Sequence, residues 1–127
     1  MRQAERISSI GPGELVEGEA TPGLVREVAF RGERSILIRA RCEGGVSSGW
    51  HHHGDREVFG HVLRGQVRFE FGRDGGEHTD VPAHGFFHIP PRLVHRDVNP
   101  LDEPQELVIS FVGTGPLVVN VDGPDER

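Results

Sequence analysis

Three consecutive histidines, His51, His52 and His53, lie in the segment GWHHHGDREVFG (49–60) beside carboxylate residues. Side chains of an extended strand alternate between two faces, so His51 and His53 would share one face and His52 would point the other way. Two imidazoles about 7 Å apart along a strand can converge on one ion. After a turn, Glu57 can return on a neighbouring strand and face the same centre.

Two neutral imidazoles and one carboxylate are donors that suit Fe(II), Mn(II), Ni(II), Zn(II) or Cu(II). A polar surface loop is the alternative interpretation, and it would be preferred for a single isolated histidine. A His-x-His pair followed by a carboxylate four residues later, in a β context, instead favours a metal site. We therefore expect one divalent transition metal ion bound by His51, His53 and Glu57.

A metal site inside a barrel usually needs a ligand from a distant strand, and FFHIPPRLVHRDVN (86–99) offers His95 as the best further donor. His61, His88 and Trp50 are candidates for the pocket around the ion. Their alternative roles are a hydrogen-bonded structural histidine and plain core packing. The phenylalanines that could form an apolar pocket wall are Phe59, Phe69, Phe71, Phe86 and Phe87.

The elements that must position these residues are short strands, separated by 18 glycines and 9 prolines. SILIRARC (35–42) and QVRFEFG (66–72) alternate apolar and polar residues, as half-buried strands do. ELVISFV (106–112) is apolar at nearly every position, which is typical of a strand covered on both sides. PLVVNV (116–121) is a last short run. Many short strands with frequent turns predict an all-β sandwich or barrel.

The segment DREVFGHVLRG (55–65) also fits helical spacing. Gly60 in its middle and two valines among its four apolar residues disfavour a helix. A strictly alternating strand follows at once across 64–65. We therefore predict that this segment forms a β-hairpin with the strand 66–72.

Size and charge exclude several functions. The 127 residues fit one domain, and 14 Lys+Arg against 20 Asp+Glu give a net charge of −6. This charge repels phosphate backbones and anionic membrane surfaces, so we expect neither nucleic-acid nor membrane partners. Cys42 is the single cysteine, which rules out an intrachain disulfide. With no apolar stretch at the N-terminus, we expect a cytoplasmic protein.

The histidine segment and the segment around His95 together resemble the two motifs of the cupin superfamily. The first motif, G-x5-H-x-H-x3-4-E-x6-G, is matched by His51-x-His53-x3-Glu57 and then Gly65. The second, G-x5-P-x-G-x2-H-x3-N, is matched by the spacing of Pro90, His95 and Asn99. The match runs from residue 50 to residue 99.

The sequence departs from these motifs at three places. Seven residues separate Glu57 from Gly65, where the motif has six, and the extra residue near Gly60 is expected to form a β-bulge. Arg92 replaces the glycine that follows the proline. His84-Gly85 stands where glycine and an acidic residue are common.

The resemblance implies a double-stranded β-helix, or jelly-roll, barrel and a homodimer. It implies that the metal ligands are His51, His53, Glu57 and His95. Residues 1–127 would form one cupin domain with the site in 49–99, and residues 1–20 and 122–127 would be peripheral.

The leading hypothesis for function is a mononuclear metalloenzyme that acts on a small organic molecule, with quercetinase-like dioxygenases as the nearest class. Open positions on an ion with four protein ligands would allow it to orient or polarise a substrate. One alternative is a cupin that binds or senses a small molecule without turnover. A metal-assisted isomerase or decarboxylase would use the same site.

Overall fold

The computed structural model describes residues 6–124, which form two antiparallel sheets packed face to face. Within these residues no α-helix occurs, and no helix is long and apolar enough to cross a membrane. The first sheet contains, in spatial order, β1 (Val16–Glu17), β2 (Val25–Arg31), β3 (Ser35–Cys42), β10 (Gln105–Val112), β5 (Glu57–Arg64) and β8 (Phe86–Ile89). The second contains β11 (Val119–Asn120), β4 (His51–His52), β9 (His95–Val98), β6 (Val67–Phe71) and β7 (Glu77–Val81).

The core lies between the sheets and is built by alternating residues of both. On β3 the buried residues are every second one, from Ile36 to Cys42. On the opposite sheet Val67 and Phe69 face the same interior. The all-β prediction is confirmed, and the predicted strand 35–42 coincides with β3. The outer residues of β10 are only partly buried, so this strand is covered on one side and not on both.

The prediction for 55–65 is half right. The segment forms strand β5, not a helix, but it makes no hairpin with β6, because β5 pairs with β10 and β8 while β6 pairs with β7 and β9. The chain therefore crosses from one sheet to the other at Gly65, whose φ of 79° favours glycine. The irregularity in pairing falls at Leu63, which has no partner between Glu106 and Leu107, and not at Gly60.

One departure from the sequence motifs is at Arg92, where the motif has glycine. Arg92 has a φ of 61°, so it adopts the left-handed conformation that the expected glycine would take without strain.

Residues 16–17, within the segment expected to be peripheral, extend the edge of the first sheet by pairing with β2. The predictions for residues 1–5 and 125–127 lie outside the described residues.

Candidate metal centre

Three buried histidines converge at the interior face of the second sheet. His51 and His95 are direct register partners on the neighbouring strands β4 and β9, and their ring centroids are 4.4 Å apart. His53 lies on the same face, 5.2 Å from the ring of His51 and 5.1 Å from that of His95. One nitrogen from each ring lies within 4.8 Å of the others. His52 points away and is partly exposed, as strand alternation requires.

Backbone carbonyls fix the orientation and tautomer of all three rings. Nδ1 of His51 donates to the carbonyl oxygen of Gly49 at 2.8 Å. Nδ1 of His53 donates to that of Leu117, and Nδ1 of His95 to that of Leu93, each at 2.9 Å. A carbonyl oxygen can only accept, so Nδ1 must hold the proton in each ring. Each Nε2 therefore presents a lone pair to the shared interior, which is the form in which histidine binds a metal.

Burial keeps these imidazoles neutral. Desolvation, together with the neighbouring His95, lowers the pKa of His53 to about 2. Burial also lowers the pKa values of His51 and His95. The three rings are thus available as neutral ligands without competition from protons near neutral pH.

A carboxylate that the sequence analysis did not select lies beside the cluster. Asp97, on β9, is 3% exposed, and its Oδ1 lies 3.6 Å from Nε2 of His51 and 3.8 Å from Nε2 of His95. Within residues 6–124, neither Asp97 Oδ1 nor His95 Nε2 has a hydrogen-bond partner. Buried polar atoms without partners are rare and costly, and an ion among them would satisfy both. The donor set thus fits a divalent transition metal ion.

Glu57 does not join the cluster. It is the first residue of β5, where its neighbour Val58 is buried and faces the histidines. Alternation turns Glu57 to the other face of the sheet, where Oε2 accepts a hydrogen bond from Nε2 of His88 at 2.7 Å. Both side chains of this pair are 47% exposed. The unpaired residue of β5 lies at Leu63, beyond Glu57 along the strand, and cannot reverse this orientation.

Two adjoining cavities meet at the cluster. The inner cavity, of about 10 Å³, is enclosed by the three histidines, Asp97, Arg26, Val58 and further apolar side chains. A space of this size holds about one water molecule or one ion. The outer cavity, of about 550 Å³, opens between β6, β7 and β8. Phe69, Ile89 and His95 line both, so the outer cavity borders the inner one and reaches His95.

The structure separates the candidates for the pocket. His88 lines the outer cavity, together with four of the five expected phenylalanines, Phe69, Phe71, Phe86 and Phe87. Phe59 is 46% exposed and packs against the ring of His88. His61 packs against Phe86 and lines neither cavity. Trp50 also lines neither, and the guanidinium of Arg96 lies 4.7 Å from the centre of its ring.

Comparison with solved structures decides the fold family. A protein with a double-stranded β-helix domain from Klebsiella pneumoniae subsp. pneumoniae MGH 78578 has a TM-score of 0.74 at 19% identity, with 96% of this chain and 98% of that chain covered. An RmlC-like cupin from Shewanella frigidimarina NCIMB 400 has a TM-score of 0.66 at 16% identity, with 86% and 93% covered.

The protein has the cupin fold. The expected resemblance and the jelly-roll architecture are therefore confirmed. An oxalate oxidase, solved in complex with the substrate analogue glycolate, is 26% identical to this cupin, with a TM-score of 0.60. That match covers 68% of this chain and 46% of the oxidase, so the chain spans less than half of the oxidase. No family model matches the sequence, and no curated protein matches it either.

Proposed function

We propose that this cupin is a mononuclear metalloenzyme that acts on a small, mainly apolar organic molecule, in the manner of a dioxygenase. One observation carries the proposal: three Nε2 lone pairs converge where an aromatic cavity of about 550 Å³ reaches the core. A cavity of that size is in the range of small-molecule sites, which are mostly apolar with a few placed polar groups.

The chain's own residues bind and orient the substrate. Phe69, Phe71 and Phe87 contribute aromatic surface, and the Pro82 and Pro90 rings lie in the same wall. When bound, a divalent ion of iron, manganese, nickel, zinc or copper would polarise an oxygen donor of the substrate, and iron, nickel or copper would also activate dioxygen.

The charge of the cavity bears on the class of substrate. Among the described residues that line the outer cavity there is no lysine or arginine. Its one carboxylate, Asp80, is paired with Arg68 at 2.8 Å. A small dianion such as oxalate would find no cation in this wall. The lining therefore favours an uncharged substrate, aromatic or a diketone, with an oxygen donor directed at the histidines.

Metal binding is tested first, by elemental analysis of the purified wild type and of a His51→Ala/His95→Ala variant. The wild type is expected to hold about one transition metal ion per chain, and the double variant none. His52→Ala is the matched control, because His52 neighbours both ligands along the chain but faces away, and it should keep the metal. Absence of transition metal from the wild type after growth in metal-supplemented medium would contradict the proposal.

Catalysis is tested by oxygen uptake with a panel of flavonols and diketones, using protein reconstituted with each metal in turn. Uptake that depends on the metal and is lost in the double histidine variant supports the dioxygenase. Saturable binding of a panel member without oxygen uptake or other turnover would instead identify a non-catalytic binding protein.

Assembly and location extend the proposal. A homodimer is supported by apolar side chains on the outer face of the first sheet, where Leu37 is 37%, Phe59 46% and Leu63 45% exposed. Light scattering is expected to give twice the 14.0 kDa chain mass; the mass of one chain would refute the dimer. Cytoplasmic location is tested by cell fractionation.

A further inference from the structure

The position of Asp97 is set by the same alternation that brings the histidines together. It follows His95 by two residues on β9, so both side chains point to the interior. His51 stands opposite His95 on the neighbouring strand. The carboxylate thus lies on the same face of the same sheet as the imidazoles.

Asp97 Oδ1 is placed as a metal ligand would be, near two histidine nitrogens and without a hydrogen-bond partner among residues 6–124. Oδ1 faces two nitrogens at 3.6 Å and 3.8 Å, and the carbonyl-bound Nδ1 atoms hold the ring protons, so neither Nε2 donates a hydrogen to Oδ1. Both distances are too long for a hydrogen bond. They are close to the separation of about 3.4 Å between two ligands of one tetrahedral zinc ion.

The residues that face the cluster from the first sheet cannot supply a carboxylate. Those that line the inner cavity are one arginine and five apolar residues: Arg26, Ala40, Val58, Ile89, Ile109 and Phe111. Glu57, one residue before Val58, is engaged with His88 on the outside. Of the residues that line this cavity, the three histidines and Asp97 carry atoms able to bind a metal. The three histidine nitrogens lie within 4.8 Å of one another, and Asp97 Oδ1 lies 3.6 Å and 3.8 Å from those of His51 and His95.

We propose that Asp97, and not Glu57, supplies the carboxylate ligand of the metal centre, so that the donor set is His51, His53, His95 and Asp97. This inference rests on the proposed metal centre. It goes beyond it by moving the acidic ligand from β5 in the first sheet to β9 in the second. All protein ligands would then come from one sheet.

The test compares Asp97→Asn with Glu57→Gln, each prepared free of metal with a chelator. Binding of Zn(II), Mn(II) and Co(II) is measured by calorimetry, and the visible absorption of the Co(II) form reports the ligand set. Asp97→Asn is expected to weaken Zn(II) binding by about 100-fold or more and to change the Co(II) spectrum. Glu57→Gln should bind within about threefold of the wild type, with an unchanged spectrum.

Folding is checked on the same samples by thermal unfolding without metal. Asp97→Asn should still fold, because asparagine keeps the shape of the side chain. Removal of a buried carboxylate favours folding, whereas loss of the negative charge that acts on the buried Arg26 opposes it. If it does not fold, Asp97→Leu, which has a similar volume and no polar atom, is measured instead and should show the same loss of metal. Unchanged affinity and spectrum in the Asp97 variant, or a loss in Glu57→Gln alone, would overturn the assignment. Failure of the wild type to bind any of the three ions would instead refute the metal centre itself.

Discussion

The ring of Phe87 on β8 lies against the backbone of Gly60, its register partner on β5, where any side chain would overlap it. Phe87 packs on the core and contacts Phe69, with ring centroids 4.7 Å apart, and both rings line the outer cavity. The glycine therefore sets where one wall of the cavity stands.

Gly60→Ala is expected to push Phe87 into the cavity. Overpacking of this kind should lower the free energy of unfolding by about 2 kcal/mol and weaken ligand binding. Chemical denaturation and ligand titration measure both effects. Gly13→Ala is the control, since a methyl group there meets nothing within 4 Å, and it should change the free energy of unfolding by less than about 0.5 kcal/mol. An unchanged free energy of unfolding in Gly60→Ala would contradict this prediction, since it would show that the Phe87 ring can move aside without destabilising the protein.

The metal-free protein is expected to lose stability on acidification. Burial holds the pKa of His53 at about 2, against an ordinary value of 6.5, and also lowers those of His51 and His95. Below pH 6.5 the unfolded chain therefore binds protons that the folded chain does not. The free energy of unfolding should fall with decreasing pH, by up to about 1.4 kcal/mol per pH unit for each histidine, and Asp97, whose pKa burial raises, offsets part of this fall.

Urea denaturation in the presence of a chelator, between pH 7.5 and pH 5, measures this dependence. His53→Leu should make the slope shallower by about one histidine's share. His78→Ala, at a histidine whose side chain is 50% exposed, should leave it unchanged. Equal slopes for the wild type and His53→Leu would contradict the prediction.

Asn99 organises the loops beneath the site. Its Nδ2 lies 3.2 Å from the carbonyl oxygen of Cys42, 3.1 Å from that of Glu43 and 2.7 Å from that of Glu103, while Oδ1 accepts from the amide of Leu101. Asn99→Ala would leave these buried groups without partners and should lower the free energy of unfolding by about 2–3 kcal/mol.

Asn99→Asp should cost at least as much, because its oxygens would face three carbonyl oxygens. Thermal and urea denaturation measure both variants. Asn120→Ala is the comparison, since the Asn120 side chain is exposed and makes hydrogen bonds with Thr21 and the carbonyl of Ala20, and it should cost about 1 kcal/mol or less. A cost for Asn99→Ala no larger than for Asn120→Ala would be contrary to this role.

Cys42 is expected to be inert in the folded protein. Burial raises the pKa of its thiol to about 11, and the negative charges of Asp97 and Glu43 act in the same direction. At pH 8 only about one thiol in a thousand is ionised, and the thiolate is the form that reacts. Labelling with a thiol reagent should be slow in native buffer and rapid in denaturant; rapid labelling of the native protein would contradict the burial.

Alternation along single strands was readable from the sequence, and it placed His51 and His53 together correctly. The same rule also predicts which way Glu57 and Asp97 point. Val58 and Val62 are both buried, so Glu57 had to face outward, and His95-x-Asp97 repeats the two-residue spacing of His51-x-His53. A shift of one residue moves a side chain to the other face of a strand. The motif allows either three or four residues between the second histidine and the glutamate, so its spacing does not determine which face Glu57 occupies.

The pairing of strands was not readable in the same way. A two-residue link between β5 and β6 is typical of a hairpin. In the structure the long contact of β5 with β10, which aligns Leu107 with Val62 and Phe111 with Val58, places β5 in the other sheet. That contact joins residues about fifty positions apart. The local sequence around β5 therefore does not predict that β5 pairs with β10.

The two cavities draw on different parts of the chain. The three buried histidines and Asp97 stand on β4, β9 or the residue after β4, whereas most of the outer wall comes from residues 79–93. Exchanges in 79–88, which leave Ile89 of the inner cavity and Leu93 beside His95 unchanged, can therefore alter the outer wall without touching the histidine cluster. A library confined to 79–88 is thus a direct route to new ligand preferences on the same scaffold.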